Sequence, residues 1–430
     1  MVTNEKYEDK RKRTIAKKKN AKLYPIYKMV SWDLLFFYSI QYLFYTIVKG
    51  VTPGEILRID ALYPIFIILL QMPVIIIGEA LGRRKSIILG NSVLILYILA
   101  LLWIPGSVSI IVSNFIFAFG YSLKTMQETS LLYDSTATRG GDGIFGKINE
   151  KGGIGYYVLD GIASLLAGYL FVMNSYLPLY ICLAFIIIST ILSFKFEDIY
   201  TNNFKKASMK EMWKDYKEDM KGSVKSIIQS KRLRAMILFF AVFEGILYIA
   251  GTYRGSLLTQ IGVTEESFSM IVAILTLVGG LSVAMQEKLQ KKFKNRTLSF
   301  LGFSFIISMI IIGMVTINTT NISIIPIILL MYVIQYISRS NYYILQEKYA
   351  KNFTTPKNRS RISCTIDTVT NLTIAVVSFV AGMLLDTIPI SYAFLLSGLA
   401  FLAILIVTLE YMKKRVGLKP EEYSVEDINI

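Results

Sequence analysis

The chain has 430 residues, of which 54% are hydrophobic and only 18% are charged, and its net charge is +16. A soluble domain carries about 25% charged residues, whereas here the charges cluster between long apolar segments, which excludes an ordinary soluble protein. There is no histidine, the commonest metal ligand, and the only two cysteines, Cys182 and Cys364, fall inside apolar segments. We therefore expect an all-α polytopic membrane protein with no disulfide framework, no metal site and no cofactor.

The basic residues are distributed unevenly along the chain. Most of them lie in alternate connectors and in the two terminal segments, and the intervening connectors carry almost none. This is the positive-inside distribution of multi-pass membrane proteins, so we expect both termini to be cytosolic. The distribution also accounts for the net charge without nucleic acid as a partner.

The first segment of the chain, residues 1–23, is strongly basic and lacks a cleavable signal pattern. It predicts a disordered cytosolic tail. Two interpretations remain open: the tail touches the anionic headgroups of membrane lipids, or it is only solvated.

Apolar segments of about 18 residues or more then recur, and each is long enough to cross the hydrocarbon layer as a helix. We predict twelve membrane-spanning helices, near 28–48, 55–78, 84–105, 108–133, 153–173, 176–194, 234–254, 264–286, 297–317, 322–346, 362–385 and 388–411. An even number agrees with two cytosolic termini. The long polar interruption at 195–232 divides the helices into two six-helix bundles, 24–194 and 233–412, followed by a cytosolic tail at 413–430.

The polar segment 195–232 contains apolar residues at regular intervals. Met209, Trp213, Tyr216 and Met220 recur at helical spacing among lysines and glutamates. This spacing predicts an amphipathic helix that lies on the inner membrane surface.

A short charged motif recurs at equivalent places in the two halves. The connector between predicted helices 2 and 3 reads "EALGRR", from Glu79 to Arg84, and the connector between helices 8 and 9 reads "EKLQKK", from Glu287 to Lys292. An acid, a leucine two residues later and two bases recur with the same spacing. Such internal repeats are typical of transporters built from two parallel six-helix halves.

The stretch "GEALGRRKS" resembles the loop signature of the major facilitator superfamily, and the "SLLYDS" and "VAGMLLD" stretches look like an uncharacterised bacterial branch of it. The resemblance implies twelve helices and alternating access between two bundles. It also implies a conformational latch, in which Arg83 or Arg84 pairs with Asp134 and Glu79 accepts hydrogen bonds from the start of helix 11. The alternative is that these bases are only positive-inside anchors.

Two departures from the family pattern weaken a specific assignment to proton-driven drug export. Asn114 stands where many members have an arginine in helix 4. The fifth predicted helix lacks the Gly-Pro pair that is typical of drug/proton antiporters.

Five acids fall inside predicted spans, where a charge costs about 2.5–3.5 kcal/mol at a helix centre, so each is a candidate for proton coupling or substrate binding. They are Asp33, Glu128, Asp160, Glu244 and Asp367. Glu244 lies deepest, about 15 Å along its helix, and a fixed structural partner such as Arg339 on predicted helix 10 is the main alternative to a coupling role. Glu128 has Lys124 one turn before it as a possible structural partner, and for Asp367 we favour a role at the helix start.

Tyrosines lie near several of these acids. Tyr42 is on helix 1, Tyr157 lies beside Asp160, and Tyr248 is one turn beyond Glu244. An acid together with aromatic rings can hold a lipophilic cation by charge and cation–π attraction. Ordinary helix packing is the alternative for each tyrosine.

These features favour a monomeric secondary active transporter of a small molecule in a bacterial plasma membrane. We expect proton coupling and export of amphipathic compounds, by antiport, with proton-coupled import of a nutrient as the alternative. A membrane-embedded lipid-modifying enzyme is disfavoured by the missing histidines and the absence of clustered carboxylates. No phosphate-binding loop of the form G-x-x-x-x-G-K-[ST] occurs, which argues against transport driven by ATP.

Overall fold

The computed structural model describes residues 2–136, 142–199, 230–319, 321–352 and 359–413, together with 214, 217, 218, 221 and 222. The predicted amphipathic helix, with Met209, Trp213, Tyr216 and Met220, lies outside the described residues. The helices are α1 Val2–Ser31, α2 Gln41–Leu43, α3 Pro53–Asp60, α4 Leu62–Leu81, α5 Arg83–Trp103, α6 Gly106–Thr136, α7 Asp142–Met173, α8 Leu177–Ser193, α9 Lys231–Gln260, α10 Glu265–Ser282, α11 Gln286–Phe293, α12 Thr297–Asn318, α13 Ile325–Asn352, α14 Arg359–Thr387 and α15 Ile390–Lys413.

Ten helical stretches among the described residues are long and apolar enough to cross a membrane. They coincide with ten of the predicted spans, and the expectation of an all-α, multi-pass membrane protein is confirmed. The predicted span 176–194 corresponds to α8, an apolar helix of 17 residues. The total of twelve spans in two six-helix bundles stays a prediction.

The first predicted span, 28–48, is not a continuous helix, and this prediction was wrong. Helix α1 ends at Ser31, no regular helix forms over residues 32–40, and a π-helix at Phe44–Val48 follows the three-residue α2. Phe36 has a φ of 67°, which costs about 1–2 kcal/mol for an L-residue. The Phe36 side chain is buried and stacks on Phe185 with ring centroids 5.9 Å apart, so packing holds this unfavourable backbone in place.

The basic N-terminal segment is helical rather than disordered, which is a second correction. Its later part has a packing partner, because Ala16 and Asn20 are buried. The Asn20 side chain exchanges two hydrogen bonds with the backbone of Glu197, at 2.8 and 2.9 Å. The helix therefore docks on the chain that follows α8, and a short apolar surface offsets the entropy of ordering it.

By contacts the chain separates into two compact units. The first comprises Met1–Phe44 and Leu69–Trp213, and the second comprises Tyr45–Ile68 and Lys214–Ile430. The residues between Phe44 and Leu69 therefore pack with the second unit, although both of their chain neighbours belong to the first. The proposed division at 195–232 stays a prediction.

In the first unit α5 packs most extensively on α6, and α1 packs on α7. A buried apolar cluster joins α1, α5, α6 and the chain after α8. Its members are Tyr24, Tyr27, Ile87, Leu131, Leu132, Phe196 and Ile199. This cluster packs the end of α1 beside α6, just before the break in the first span.

In the second unit α9 packs on both α14 and α15, α12 packs on α15, and α3 packs on α14. Aromatic rings fill the space around α9, where Phe243 contacts Tyr342 with centroids 4.4 Å apart. Helices α9 and α13 are both continuous, unlike the interrupted first span.

Candidate functional site

The charged connector after α4 is held by hydrogen bonds within the first unit. Gly82 opens α5 with a φ of 79°, a conformation that favours glycine. Arg83 Nε lies 3.4 Å from Asp134 Oδ2, and Arg83 Nη1 donates to Gln127 Oε1 at 2.8 Å. The sequence-predicted partners Arg83 and Asp134 are thus in contact, and the ion pair joins α5 to α6.

The neighbouring residues of this connector have different partners. Arg84 Nη2 donates to the carbonyl of Phe194 at 2.7 Å, and the Arg84 amide donates to Asp198 Oδ1 at 3.1 Å. Glu79 is exposed at the end of α4. Since Arg83 and Asp134 belong to the same unit, their ion pair alone does not connect two halves, and the latch stays a prediction.

A buried lysine occupies the break in the first span. Lys124 on α6 is 1% exposed, and its ammonium group donates to the backbone carbonyl of Ser31, the last residue of α1. The last carbonyls of a helix have no partner within the helix and carry its negative partial charge. Lys124 also interacts electrostatically with Asp33 and Glu128. We call Ser31, Asp33, Asn91, Lys124 and Glu128 the break cluster.

Glu128 lies on the same face of α6 as Lys124 and is 5% exposed. Its neighbours on α1 are Tyr27 and Lys28. The Tyr27 hydroxyl accepts a hydrogen bond from Asn91 Nδ2 at 2.9 Å. The Lys124 and Lys28 ammonium groups both attract the Glu128 carboxylate electrostatically, and the structural pairing of Glu128 with Lys124 stays a prediction.

Three buried polar atoms of the break cluster have no hydrogen-bond partner among the described residues. They are Ser31 Oγ, Asn91 Oδ1 and Glu128 Oε2. Such atoms cost free energy unless a water or an ion satisfies them. A cavity of about 10 Å³ adjoins Ser31 and Asn91, and Asp33, Tyr121, Lys124 and Ser189 are among its other lining residues. This volume is about that of one water molecule.

Asp33 and Asp160 approach each other from different elements. Asp33 follows the end of α1 and its Oδ1 accepts from the Leu34 amide at 3.0 Å. Asp160 on α7 is close enough to affect it electrostatically. Tyr157, one turn before Asp160, is half exposed and its ring lies 5.4 Å from that of Trp32.

Tyr42 lies apart from these acids along the chain. It is partly buried in α2, beyond the interrupted backbone.

In the second unit Glu244 has partners on α13. The Tyr343 hydroxyl donates to Glu244 Oε2 at 3.3 Å, and the Arg339 guanidinium lies 5.7 Å from the centre of the Tyr343 ring. Arg339 interacts electrostatically with Glu244, so the acid has a counter-charge on another helix. Arg339 and Tyr343 are exposed, which leaves this site open on one side.

Tyr248 does not join Glu244 in one site. It lies one turn further along α9, and its hydroxyl donates to the carbonyl of Asp60 at 3.4 Å. Asp367, near the start of α14, is exposed. The tyrosine that contacts Glu244 is therefore Tyr343 and not the predicted Tyr248.

A second ion pair was not predicted from the sequence. Arg58 on α3 pairs with Asp386 on α14. Two glycines bring the backbones together there, because a Cβ on Gly382 would lie 2.6 Å from the carbonyl of Gly54. The available signal was that Arg58 and Asp386 each lie near an end of an apolar segment.

Sequence reasoning also missed Ser31 and Asn91. Neither is charged, and the Ser31 backbone carbonyl is available to Lys124 only because α1 ends there. Among the described residues, no group of three or more His, Cys, Asp or Glu side chains is arranged to hold a metal ion.

The chain was compared with known proteins. The family model described as Major Facilitator Superfamily matches residues 29–350. No curated protein matches the chain.

Several solved transporters have a similar fold. The nucleoside transporter NupG matches with a TM-score of 0.69 and 11% identity, covering 93% of this chain and 99% of that one. A bacterial homolog of the human lysosomal transporter Spinster, inward-facing and unoccupied, matches with a TM-score of 0.65 and 12% identity over 96% and 98%. A POT family transporter in complex with 5-aminolevulinic acid matches with a TM-score of 0.65 and 13% identity over 93% and 96%. At these identities the likeness concerns the fold.

Proposed function

Because the chain belongs to the major facilitator superfamily, we propose that it is a proton-coupled secondary active transporter that moves a small molecule by alternating access. Membership of this family indicates a transporter rather than an enzyme, which removes the lipid-modifying alternative. The observation that carries the proposal is the burial of Lys124 and Glu128, with the partly buried Asp33 in electrostatic contact with Lys124, inside a multi-pass membrane protein. Such groups are expensive in a membrane and mark ion or substrate pathways.

The proposed architecture is twelve membrane-spanning helices in two six-helix bundles, 24–194 and 233–412. Ten long apolar helices, the apolar α8 and the interrupted first segment are consistent with that number. The tail at 1–23, the linker at 195–232 and the tail at 413–430 are then cytosolic, in contact with water and lipid headgroups.

The topology has a direct test in a variant that lacks Cys182 and Cys364. Single cysteines at Asn203 and Asn318 should show opposite accessibility to a membrane-impermeant thiol reagent in intact cells. Equal labelling from outside at both positions would contradict the proposed orientation.

The proposed coupling groups are the acids Asp33, Glu128 and Asp160 in the first unit and Glu244 in the second. Each carboxylate can bind a proton during part of the transport cycle. When it is protonated, the neighbouring base, Lys124 in the first unit or Arg339 in the second, loses its counter-charge and can interact with another group. The proposed latch consists of Glu79, Arg83, Arg84 and Asp134. Tyr42, Tyr157 and Tyr248 remain candidate substrate contacts.

For the substrate we favour export of an amphipathic compound in exchange for protons, across a bacterial plasma membrane, by a monomer. Glu244, Tyr343 and the open side of their site suit a ligand that combines a positive charge with an apolar part. Import of a polar nutrient is the alternative, because two structures of similar fold are described as nucleoside and POT family transporters.

The function is tested with purified protein in liposomes. We expect lipophilic cations loaded on one side to move when a proton gradient is imposed, and to stop moving when a proton ionophore collapses it. Nucleosides and short peptides are assayed in parallel to detect the alternative. Equal flux with and without the gradient would contradict proton coupling, and protein-free liposomes provide the background.

A further inference from the structure

Arg254 is a base in the apolar helix α9 that has no acidic partner among the described residues. Arg58 and Arg83 each form an ion pair with an aspartate, whereas Arg254 forms none within the described part of the chain. The Arg254 Nε is buried and lacks a hydrogen-bond partner there. Charged residues in membrane spans face the protein interior or a water-filled cavity and mark substrate pathways. Arg254 therefore has hydrogen-bonding capacity that its neighbours do not use.

Two tyrosines of α13 lie beside the Arg254 guanidinium. Its Cζ lies 5.3 Å from the centre of the Tyr336 ring, so the planar cation is held near an aromatic side chain. Tyr332, one turn earlier on α13, is fully buried and interacts electrostatically with Arg254. The Tyr332 hydroxyl has no hydrogen-bond partner among the described residues. Buried polar atoms without partners are rare, because each costs free energy unless a ligand or a water satisfies it.

The chemistry of these groups is that of an anion-binding site. A guanidinium has only donors, and a tyrosine hydroxyl can donate as well. The planar edge of an arginine binds a carboxylate through two parallel hydrogen bonds. The single charge of Arg254 is balanced by one carboxylate, whereas a phosphate monoester carries about −1.5 to −2 at pH 7. A ligand with a carboxylate therefore supplies what Arg254 lacks.

Open space lies beside α9 between Arg254 and Glu244. Gly251 is one turn before Arg254, and a Cβ at this position would meet no neighbouring atom. By helical rise Arg254 lies about 15 Å beyond Glu244. A compact ligand does not reach both side chains, but an elongated ligand with an apolar middle does.

We propose that Arg254, Tyr332 and Tyr336 form a binding site for the carboxylate of the transported compound. We call these three residues the anion site. The inference rests on the proposed transport of an amphipathic compound and narrows the class of that compound. One end of the substrate carries a carboxylate and contacts Arg254, the other carries an ammonium group and contacts Glu244, and an apolar chain joins them. The substrate is then an elongated zwitterion, and a lipophilic cation occupies only the Glu244 end.

The experiment measures the thermal midpoint of the full chain in detergent, without a gradient. A ligand that binds the folded state raises this midpoint by mass action. The probes are octanoate, octylamine, ω-aminooctanoate and the lipid phosphatidylglycerol, each titrated at constant ionic strength. We expect a saturable rise with octanoate, and tighter binding of ω-aminooctanoate than of octanoate or octylamine.

Variants assign the octanoate response to the anion site. Arg254→Gln should weaken octanoate binding by about tenfold or more, and the exposed Arg296→Gln is its control. Tyr332→Phe removes only a hydroxyl and should weaken it by about threefold, with the exposed Tyr392→Phe as control. Arg254→Lys keeps the charge but not the planar edge and should have an intermediate affinity. This variant keeps the test valid if Arg254→Gln does not fold.

The same measurement assigns the two ends of the zwitterion. Glu244→Gln should reduce the affinity for ω-aminooctanoate to that for octanoate, because the ammonium group loses its partner. Arg254→Gln should reduce it to that for octylamine. Glu287→Gln, which neutralises an exposed carboxylate on α11, should change neither affinity.

Three results would overturn the proposal. The first is no saturable response to octanoate, and the second is a response that Arg254→Gln and Tyr332→Phe both leave unchanged. The third is a response to phosphatidylglycerol that depends on Arg254 and exceeds the response to octanoate, which would assign the arginine to a lipid headgroup.

Failure of the proposed function is distinguishable, because binding is measured without flux. Octanoate binding that depends on Arg254, without gradient-driven flux of any probe, leaves the anion site standing and removes the transport proposal. Gradient-driven flux of lipophilic cations without octanoate binding does the reverse.

Discussion

Each of the two units buries an acid near a base, but the surroundings differ. In the first unit Lys124 and Glu128 are almost completely enclosed, at 1% and 5% exposure, beside an interrupted backbone. In the second unit Glu244 and Arg339 lie on continuous helices, and Arg339 and Tyr343 reach the surface. Enclosed charges depend on one another for stability, whereas the pair in the second unit is not enclosed by protein on one side. We therefore expect that removing a charge lowers stability more in the first unit than in the second.

The largest effect is expected from Lys124→Met, which breaks the enclosed set of charges. Removing one partner of a buried ion pair costs about 3–5 kcal/mol, because the other charge is left uncompensated. We expect a lower thermal midpoint in detergent and loss of gradient-driven flux. The exposed Lys288→Met should change stability by about 0.5 kcal/mol or less.

A second variant separates the loss of charge balance from the loss of volume. Lys124→Met combined with Glu128→Gln removes both charges and should recover part of the lost stability without recovering coupled flux. If Lys124→Met alone is as stable as Lys288→Met, the charges in the first unit do not depend on each other, and the contrast with the second unit disappears.

Glu244→Gln tests the open site and should affect transport far more than folding. Arg339 is exposed and can be hydrated when its partner is neutral, so we expect expression and the thermal midpoint to remain close to those of the unmodified protein. Gradient-driven flux should be lost or uncoupled in a liposome assay. Glu287→Gln serves as the control, and unchanged, pH-dependent flux in Glu244→Gln would move the role to Asp33 and Asp160.

The ion pair beside the charged connector gives a smaller effect. Asp134→Arg places a second positive charge against Arg83 and should impair transport, and the double swap with Arg83→Asp should restore part of it. Initial flux rates of the singles and the double form a complete mutant cycle. A double variant no better than the worse single would indicate that these charges act only as topological anchors.

The smallest effect is expected at the ion pair between α3 and α14. The side chains of Arg58 and Asp386 are 39% and 26% exposed, and partly exposed pairs contribute about 0–1 kcal/mol. Asp386→Asn should therefore lower the thermal midpoint only slightly. Gly382→Leu, in contrast, forces apart backbones that touch and should destabilise the second unit much more. Equal effects of the two variants would show that the glycine contact is not what holds α3 on α14.

Local sequence patterns predicted the membrane class and ten of the spans. The resemblance to the family implied a contact of Arg83 or Arg84 with Asp134, and it is Arg83 that makes this contact. An apolar segment of about 20 residues has few alternatives to a membrane helix. The motif around Gly82 fixes a tight connector because the positive φ at that position favours glycine. The apolar segments and the connector glycine are each recognised from a few neighbouring residues, so no knowledge of the packing is needed to predict them.

The interruption after Ser31 and the partners of the buried charges were decided by the tertiary structure. The segment 28–48 is apolar enough to be helical, and no local pattern predicts a left-handed backbone at Phe36. The Phe36 ring stacks on Phe185, and Lys124 binds the Ser31 carbonyl. Both contacts involve residues far along the chain. The same holds for Glu244, whose counter-charge lies on α13, and for Arg58, whose partner lies on α14. The sequence by itself determined which segments enter the membrane, because transfer of apolar side chains is a local, additive quantity. Which polar groups meet inside the protein was decided only by packing, because the free energy of a buried charge depends on the neighbouring groups that the fold places around it.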